Sequence, residues 1–320
     1  MIRRRFGAGL TVAGSLVLAT SLLGFLGPLV WWFDLLANFK LQFAVVLTVI
    51  GGGLMLLGRT GAASLVLVGA LANAAVIAPL YYRSPADPRA DAPELAVVGY
   101  NIQIGNRSPQ LGWALDDTPD VVFLFETGRV HFDDIASRFP DYQVSSGIFE
   151  ERSYGATILT REPAQVELLD FARAAGDAIR VELTFGEGTV VVYGVHPPSP
   201  TNDSDAAYRD DFLAQVGRAV AAENDPVVVV GDLNATPWST GFGALTGPAD
   251  LVNSLEGFGY GASWPSRLPA LAQIPIDHVL HTRQLTVTSR QLGPVTRASD
   301  HRPVRVRLTL AEDSIIATQR

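Results

Sequence analysis

The sequence predicts an α/β domain carried behind an N-terminal block of apolar helices. Three observations lead there. Residues 8–81 hold only three charged side chains, Asp34, Lys40 and Arg59. A polar, Pro-rich stretch from Ser84 to Pro93 then separates that block from a region of ordinary composition. Beyond it, short β-type runs alternate with helix-like stretches. Several runs end on a polar residue, where open α/β folds place their sites.

Three apolar runs, residues 7–33, 41–57 and 62–81, each approach or exceed the ~20 residues that a bilayer-spanning helix needs. Asp34 to Lys40 separates the first two, and Gly58-Arg59-Thr60-Gly61 is a turn between the second and third. Trp31 and Trp32, and Tyr81 and Tyr82, suit an aromatic belt at the membrane surface. Arg3-Arg4-Arg5 and Arg59 should hold the N-terminus and the second loop in the cytoplasm, so that three spans leave everything after Tyr82 outside. Arg3-Arg4-Arg5-Phe6 also fits a loose twin-arginine signal, but two further apolar runs count against simple cleavage. The chain therefore divides into three transmembrane helices over 1–82, a linker over 83–93, a domain over 94–310 and a frayed tail over 311–320. Some ~230 residues are enough for one large core.

Charge is unevenly shared. Residues 1–80 carry five basic side chains and one acid, whereas the remainder carries 19 basic against 31 acidic ones, a net −12. A domain this acidic repels polyanions, which favours a small phosphoester over long nucleic acid. With no cysteine, disulfides, thiolate catalysis and Cys-based zinc sites are excluded.

In the domain, the run from Leu95 to Tyr100 ends in Asn101, and Asp120 to Phe125 ends in Glu126. Thr189 to Val195 ends in His196, and Pro226 to Gly231 ends in Asp232-Leu233-Asn234. Ile276 to Leu280 contains Asp277, and Asp300-His301 precedes an alternating strand from Pro303 to Leu308. Continuous apolar runs indicate strands covered on both faces. Asn101, Glu126 and Asp300 form a hard-oxygen set suited to Mg²⁺ or Mn²⁺. Asp277 is able to orient His301, Asp232 to orient or deprotonate a water, and Asn234 to donate to a phosphoryl oxygen, with His196 a second imidazole beside them. Such a set serves in-line attack at phosphorus.

Seven segments, Tyr100-Asn101-Ile102, Phe125-Glu126-Thr127, Gly155 to Arg161, Val195-His196, Gly231 to Pro237, Ile276 to Leu280 and Ser299 to Val304, together resemble the ordered motifs of the endonuclease/exonuclease/phosphatase superfamily. The resemblance covers about residues 94–310. It implies a four-layer α/β sandwich of two mixed β-sheets flanked by helices, and Mg²⁺-dependent phosphoester hydrolysis. It implies Glu126 as the main metal ligand, assisted by Asn101 and Asp300. It places His196 on the phosphate or leaving group, Asp232 and Asn234 around water and phosphate, and Asp277 with His301 as the base. One departure is Phe125, where the family usually has Gln.

Tyr154, Trp264 and Asn106 are candidate substrate contacts, His278 is expected to pack structurally, and His131 and His281 are expected at the surface. Thr201 to Arg209 is expected to begin a helix that runs on through Ala222. The expected partners are a phosphoester substrate, either a lipid head group or nucleic acid, and the membrane. The expected activity is that of a membrane-anchored phosphoesterase with its domain outside the cytoplasmic membrane. Two other readings are an extracytoplasmic nuclease and a non-catalytic family member that binds a lipid or a partner.

Overall fold

The structure is a computed structural model and describes residues 2–106, 108–146, 155–171, 178–312 and 314. Helix α1 (Ile2–Leu23) is followed by a 3₁₀ turn at Gly27–Leu29, the short α2 (Trp31–Ala37), α3 (Lys40–Leu56), α4 (Thr60–Ile77) and a last turn, α5 (Pro79–Tyr82). The first apolar run is therefore two pieces, and Trp31 and Trp32 open α2 instead of closing α1. Gly24, Gly27 and Pro28 explain the break, because proline lacks the amide proton that a continuing helix needs. Helices α1 and α4 are long and apolar enough to cross a membrane, and α2 with α3, bent by 67°, makes a third candidate. Leu16, Leu56, Leu65 and Leu71 are more than half exposed along these helices, as a lipid-facing surface requires. Inside the bundle, Asn73 donates to Ser21 Oγ at 2.6 Å, a polar tie between α4 and α1.

The domain continues with β1 (Glu94–Asn101), α6 (Gly112–Leu115), β2 (Val121–Phe125), α7 (Arg129–Arg138), β3 (Gln143–Ser146) and β4 (Ala156–Thr160). Next come β5 (Gln165–Leu169), β6 (Ala178–Phe185), β7 (Gly188–Gly194), α8 (Asp203–Ala221) and β8 (Val227–Asp232). It closes with α9 (Thr240–Ala249), β9 (Val252–Asn253), β10 (Asp277–His281), β11 (Leu285–Leu292) and β12 (Val304–Leu310). Helix α8 starts where Asn202 caps it, its side chain accepting from the Asp205 amide.

Two six-stranded sheets form, in the orders β11-β12-β1-β2-β4-β3 and β5-β6-β7-β8-β10-β9. Both are mixed: β1 with β2 and β7 with β8 are parallel pairs, and their neighbours are antiparallel. The sheets meet face to face through Val97, Phe123, Ile158, Val192, Val230, Val279 and Val306. Helices α8 and α9 cover the second sheet through Phe212, Val216 and Leu245, and α6 and α7 cover the first through Ala114, Leu115 and Ile135. This four-layer sandwich explains the unbroken valine runs, since such strands have no solvent face. At Gly231 a Cβ would stand 1.8 Å from the Val195 carbonyl, so only glycine lets the end of β8 pass the end of β7.

The apolar helical block and the domain share a polar seam. Asp34 accepts from Arg209 at 2.7 Å and from the Thr240 amide and hydroxyl. Asn38 Oδ1 accepts from the Thr236 hydroxyl, and the Trp238 indole donates to the Val76 carbonyl. The amides of Gly257 and Gly259 both donate to the Leu80 carbonyl. Residues 83–93 do not hang free. Thr286 bonds the Ala86 carbonyl, the Arg89 amide bonds the Leu310 carbonyl, and the Glu312 amide bonds the Asp87 carbonyl. The start of the expected tail is likewise held: Ala311 is buried and donates to the Gln284 carbonyl. Residues 313 and 315–320 lie outside the described set.

Candidate active site

Topology explains why residues far apart in sequence meet. The parallel strands β1 and β2 end together at Asn101 and Phe125, which are register partners. Strand β8 ends at Asp232, opposite Asp277 at the start of the antiparallel β10. Strand β12 runs against β1 and begins opposite Gly99, which brings Asp300 and His301 to the same edge. His196 follows the end of β7, beside β8.

At that edge Asn101 Nδ2 donates to Glu126 Oε1 at 2.9 Å and to Asp232 Oδ2 at 3.0 Å. Its Oδ1 accepts from the Gln103 amide, and the Ile104 amide donates to Glu126 Oε2. His196 Nε2 stands 3.9 Å from Glu126 and 3.6 Å from Asp232. His301 Nε2 lies 3.6 Å from the same Asp232 oxygen, and its Nδ1 donates to Asp277 at 3.0 Å. Ser299 fastens the ring from behind, donating to the Asn101 carbonyl and accepting from the His301 amide. Glu126, Gln103 and Asn234 adopt φ of 58°, 63° and 48°, left-handed conformations that cost about 1 kcal/mol each in L-residues. The fold thus holds strained backbone where the polar groups converge.

Burial by itself disfavours a charged His301. The carboxylates of Asp277 and Asp232, and the hydrogen bond to Asp277, outweigh it and hold the pKa up at about 10. At neutral pH this ring therefore keeps both protons. A folded pKa raised above the ordinary ~6.5 contributes stability that is complete below that value and is lost as pH rises through about 10. In metal-free protein, NMR should show His301 titrating near 10, and Asp277→Asn should bring it down sharply. A ring that titrates near its ordinary value in the unmodified chain would contradict this electrostatic account.

The other candidates are placed as follows. Asn234 spends its side chain on the loop after His196, donating to the Pro197 carbonyl and accepting from Ser199, while its amide donates to Asp232 Oδ1. Asp300 accepts from the Trp264 indole at 3.0 Å, and Trp264 lies 6.3 Å from the His301 ring. Asn106 donates to the Ile102 carbonyl and, with Glu126, lines an open cavity of about 710 Å³. Tyr154 lies outside the described residues. Phe125 is buried between the sheets, its ring 5.8 Å from that of His196, so an apolar support stands beneath that histidine.

His278 is structural: it sits against Phe242, its Nε2 donates to the Ala235 carbonyl, and burial pulls its pKa down to about 4. His131 and His281 are not surface residues. Both are buried, the first bridging the Gly128 amide and the Asn106 carbonyl, the second bonded to the Thr282 carbonyl. Sequence reasoning missed Arg209, whose Nη1 donates to the Asn234 carbonyl from inside α8, and did not place Arg267 and Arg297 in the site. Both of the latter line the open cavity beside Glu126.

Two sets of groups are able to hold a cation. Asp232, Asp277 and His301 present ligand atoms within 4.8 Å of one another. Asp277 and His301 are engaged with each other, however, which leaves this trio better suited to handling protons. Glu126 and Asp232 approach each other as joint acceptors from Asn101 Nδ2, and neither they nor Asp300 have a Lys or Arg in ion-pair contact among the described residues. Convergent carboxylates without a permanent cation are a fitting donor set for a hard divalent ion.

Comparison with known proteins agrees with this geometry. Among curated proteins, none matches the chain by sequence. Solved structures share the fold. D. rerio TDP2 in complex with a single-strand DNA product is 19% identical, with a TM-score of 0.55 over 67% of this chain and 98% of that one. The Neisseria 3′ phosphatase NExo, bound to a product DNA hairpin, is 18% identical, with a TM-score of 0.52 over 66% and 98%. A mannosyl-6-phosphatase of Bacteroides thetaiotaomicron is 16% identical, with a TM-score of 0.51 over 67% and 99%. The profile of the Endonuclease/Exonuclease/phosphatase family matches residues 98–301, most of the domain and more than half of the chain. The chain belongs to the endonuclease/exonuclease/phosphatase family and is a hydrolase of phosphoester bonds.

Proposed function

We propose that this protein is a membrane-anchored, divalent-metal-dependent phosphoesterase whose domain faces away from the cytoplasm, and that it cleaves a phosphodiester or phosphomonoester by in-line attack of water. The observation that carries the reading is the convergence of Glu126 and Asp232 on the Asn101 amide, beside His196 and the His301–Asp277 pair. Glu126, Asp300 and Asn101 would hold Mg²⁺ or Mn²⁺, Asn101 by turning its amide so that the oxygen faces the ion. The ion supplies positive charge against which the phosphoryl oxygens develop theirs. Asp232, 3.6 Å from both imidazoles, orients the water and takes its proton. His301, already protonated, donates to a phosphoryl oxygen, with Asp277 fixing its ring. His196 protonates the leaving group, and Asn234 holds the loop that carries it.

Orientation is supported by where the basic residues lie. Arg3 donates to the Leu56 carbonyl and Arg59 to the Arg4 carbonyl, so the bundle's arginines gather at one end. The domain docks at the other, through Asp34, Asn38 and Val76. A basic cytoplasmic end leaves the domain outside.

Purified full-length protein should hydrolyse one class among p-nitrophenyl phosphate, bis-p-nitrophenyl phosphate, plasmid DNA and phospholipid vesicles. EDTA should silence it and Mg²⁺ or Mn²⁺ restore it. Intact cells should turn over the same impermeant substrate, with EDTA acting from outside. Chelator-resistant turnover would refute the metal reading, and activity confined to lysed cells would refute the orientation. The domain's net negative charge weighs against long DNA.

A further inference from the structure

Lys40 is the single lysine of this chain, and it is 2% exposed. Its ammonium group lies 3.2 Å from the centre of the Phe25 ring and has no hydrogen-bond partner. A buried ammonium in that state is costly unless something anionic completes it. The space for such a group exists. Lys40 lines a cavity of about 430 Å³ at the seam, with Phe25, Pro28, Trp238, Thr240 and Gly243. The chain's own acid there is already committed: Asp34, packed on Gly27 of the cavity wall, is taken by Arg209 and Thr240. The N-terminus of α9 opens at Thr240 and adds positive potential to the same space.

We propose that this cavity is a head-group site for an anionic phospholipid, with the lipid phosphate on Lys40. A lipid is favoured over free phosphate because the exposed wall is mostly apolar, with Phe25, Pro28, Val76 and Trp238 beside Lys40. Its rim also continues into exposed apolar side chains: Leu26 (44% exposed), Leu29 (74%) and Trp32 (49%). Those chains provide a path for acyl tails, while Lys40, whose ammonium has no hydrogen-bond partner among the described residues, selects charge. The site is distinct from the cluster around Glu126, so it stands or falls independently of the hydrolytic mechanism. Its occupant would brace α2 and α3 against α9, next to the Asp34–Arg209 pair that reaches Asn234.

The test uses full-length protein in detergent and reads lipid binding by native mass spectrometry and by thermal shift. Phosphatidylglycerol should bind about tenfold more tightly than phosphatidylcholine, the scale of one added charge contact. Lys40→Gln should erase that preference, and Lys40→Arg should keep it. Gly243→Leu should also abolish it by filling the cavity, since a Cβ there meets nothing within 4 Å and so does not strain α9. Glu126→Gln should retain it; loss of the preference in that variant would move the lipid to the hydrolytic site and overturn the proposal. So would equal binding of phosphatidylcholine, or an undiminished preference in Lys40→Gln. Inorganic phosphate alone reproducing the thermal shift would reassign the cavity to a soluble anion.

Discussion

Glu126→Gln is expected to lower turnover by about a thousandfold while leaving the melting temperature nearly unchanged. The amide keeps the shape but only one acceptor oxygen, so either the Asn101 donor on Oε1 or the Ile104 donor on Oε2 loses its partner, a local cost of about 1 kcal/mol that leaves the fold in place. What goes is the negative charge. Within the proposed mechanism that charge is the principal hold on the divalent ion, and Asp232 and Asp300 do not replace it from their own positions. The variant should therefore also need far more Mg²⁺ for whatever rate remains. Purified variant and parent, assayed side by side over a Mg²⁺ titration, decide the matter. A rate within a few-fold of the parent, at the same Mg²⁺ requirement, would remove Glu126 from the site.

Asp34→Ala should destabilise the chain by about 3 kcal/mol, although Asp34 lies in the apolar helical block and far from any reacting group in sequence. Arg209 is 1% exposed and is left with Asp210, which it also contacts, as its remaining acidic partner. The loss includes the bonds from Asp34 to the Thr240 amide and hydroxyl at the start of α9. Activity should fall as well, because Arg209 holds the Asn234 carbonyl and Asn234 holds the loop after His196. Denaturant titration of the detergent-solubilised protein measures the first effect. A change within about 0.5 kcal/mol would mean that the seam carries little energy. For the same reason a domain cut free at residue 90 would expose Arg209 stripped of Asp34 and left with Asp210, and its activity would understate that of the intact chain.

The strand-end residues were legible because burial on both faces leaves a strand no polar position except its end. Asn101, Glu126, His196 and Asp232 therefore stood out before any geometry was known. The valine run before Asp232 marked a central strand for the same reason. The division of twelve strands between two sheets was not legible in composition, since pairing such as β1 with β12 joins Val97 to Val306 across most of the domain. The Asp34–Arg209 pair was hidden for a related reason: its members are 175 positions apart, and each alone resembles a surface charge. His131 and His281 misled because backbone groups satisfy them, the Gly128 amide and the Asn106 and Thr282 carbonyls, and backbone groups have no sequence signature. The end of α1 did carry a signal, Gly24 with Gly27-Pro28, which average hydropathy smooths away.

Under the proposed membrane anchoring, the bonding of residues 83–93 along the domain changes what kind of anchor this would be. A loose tether would let the catalytic mouth sweep a hemisphere and meet substrates at any distance within its reach. Here the Ala86, Asp87 and Arg89 bonds, the Leu80 carbonyl and the Asp34–Arg209 pair form a rigid mount. A mouth mounted this way on the proposed anchor would keep one height and one tilt above the lipid. Molecules confined to the membrane plane arrive by two-dimensional diffusion, already at the right level. Soluble ones must find a fixed aperture in three dimensions. Selectivity among substrates then begins with altitude, before any side chain in the site has touched one.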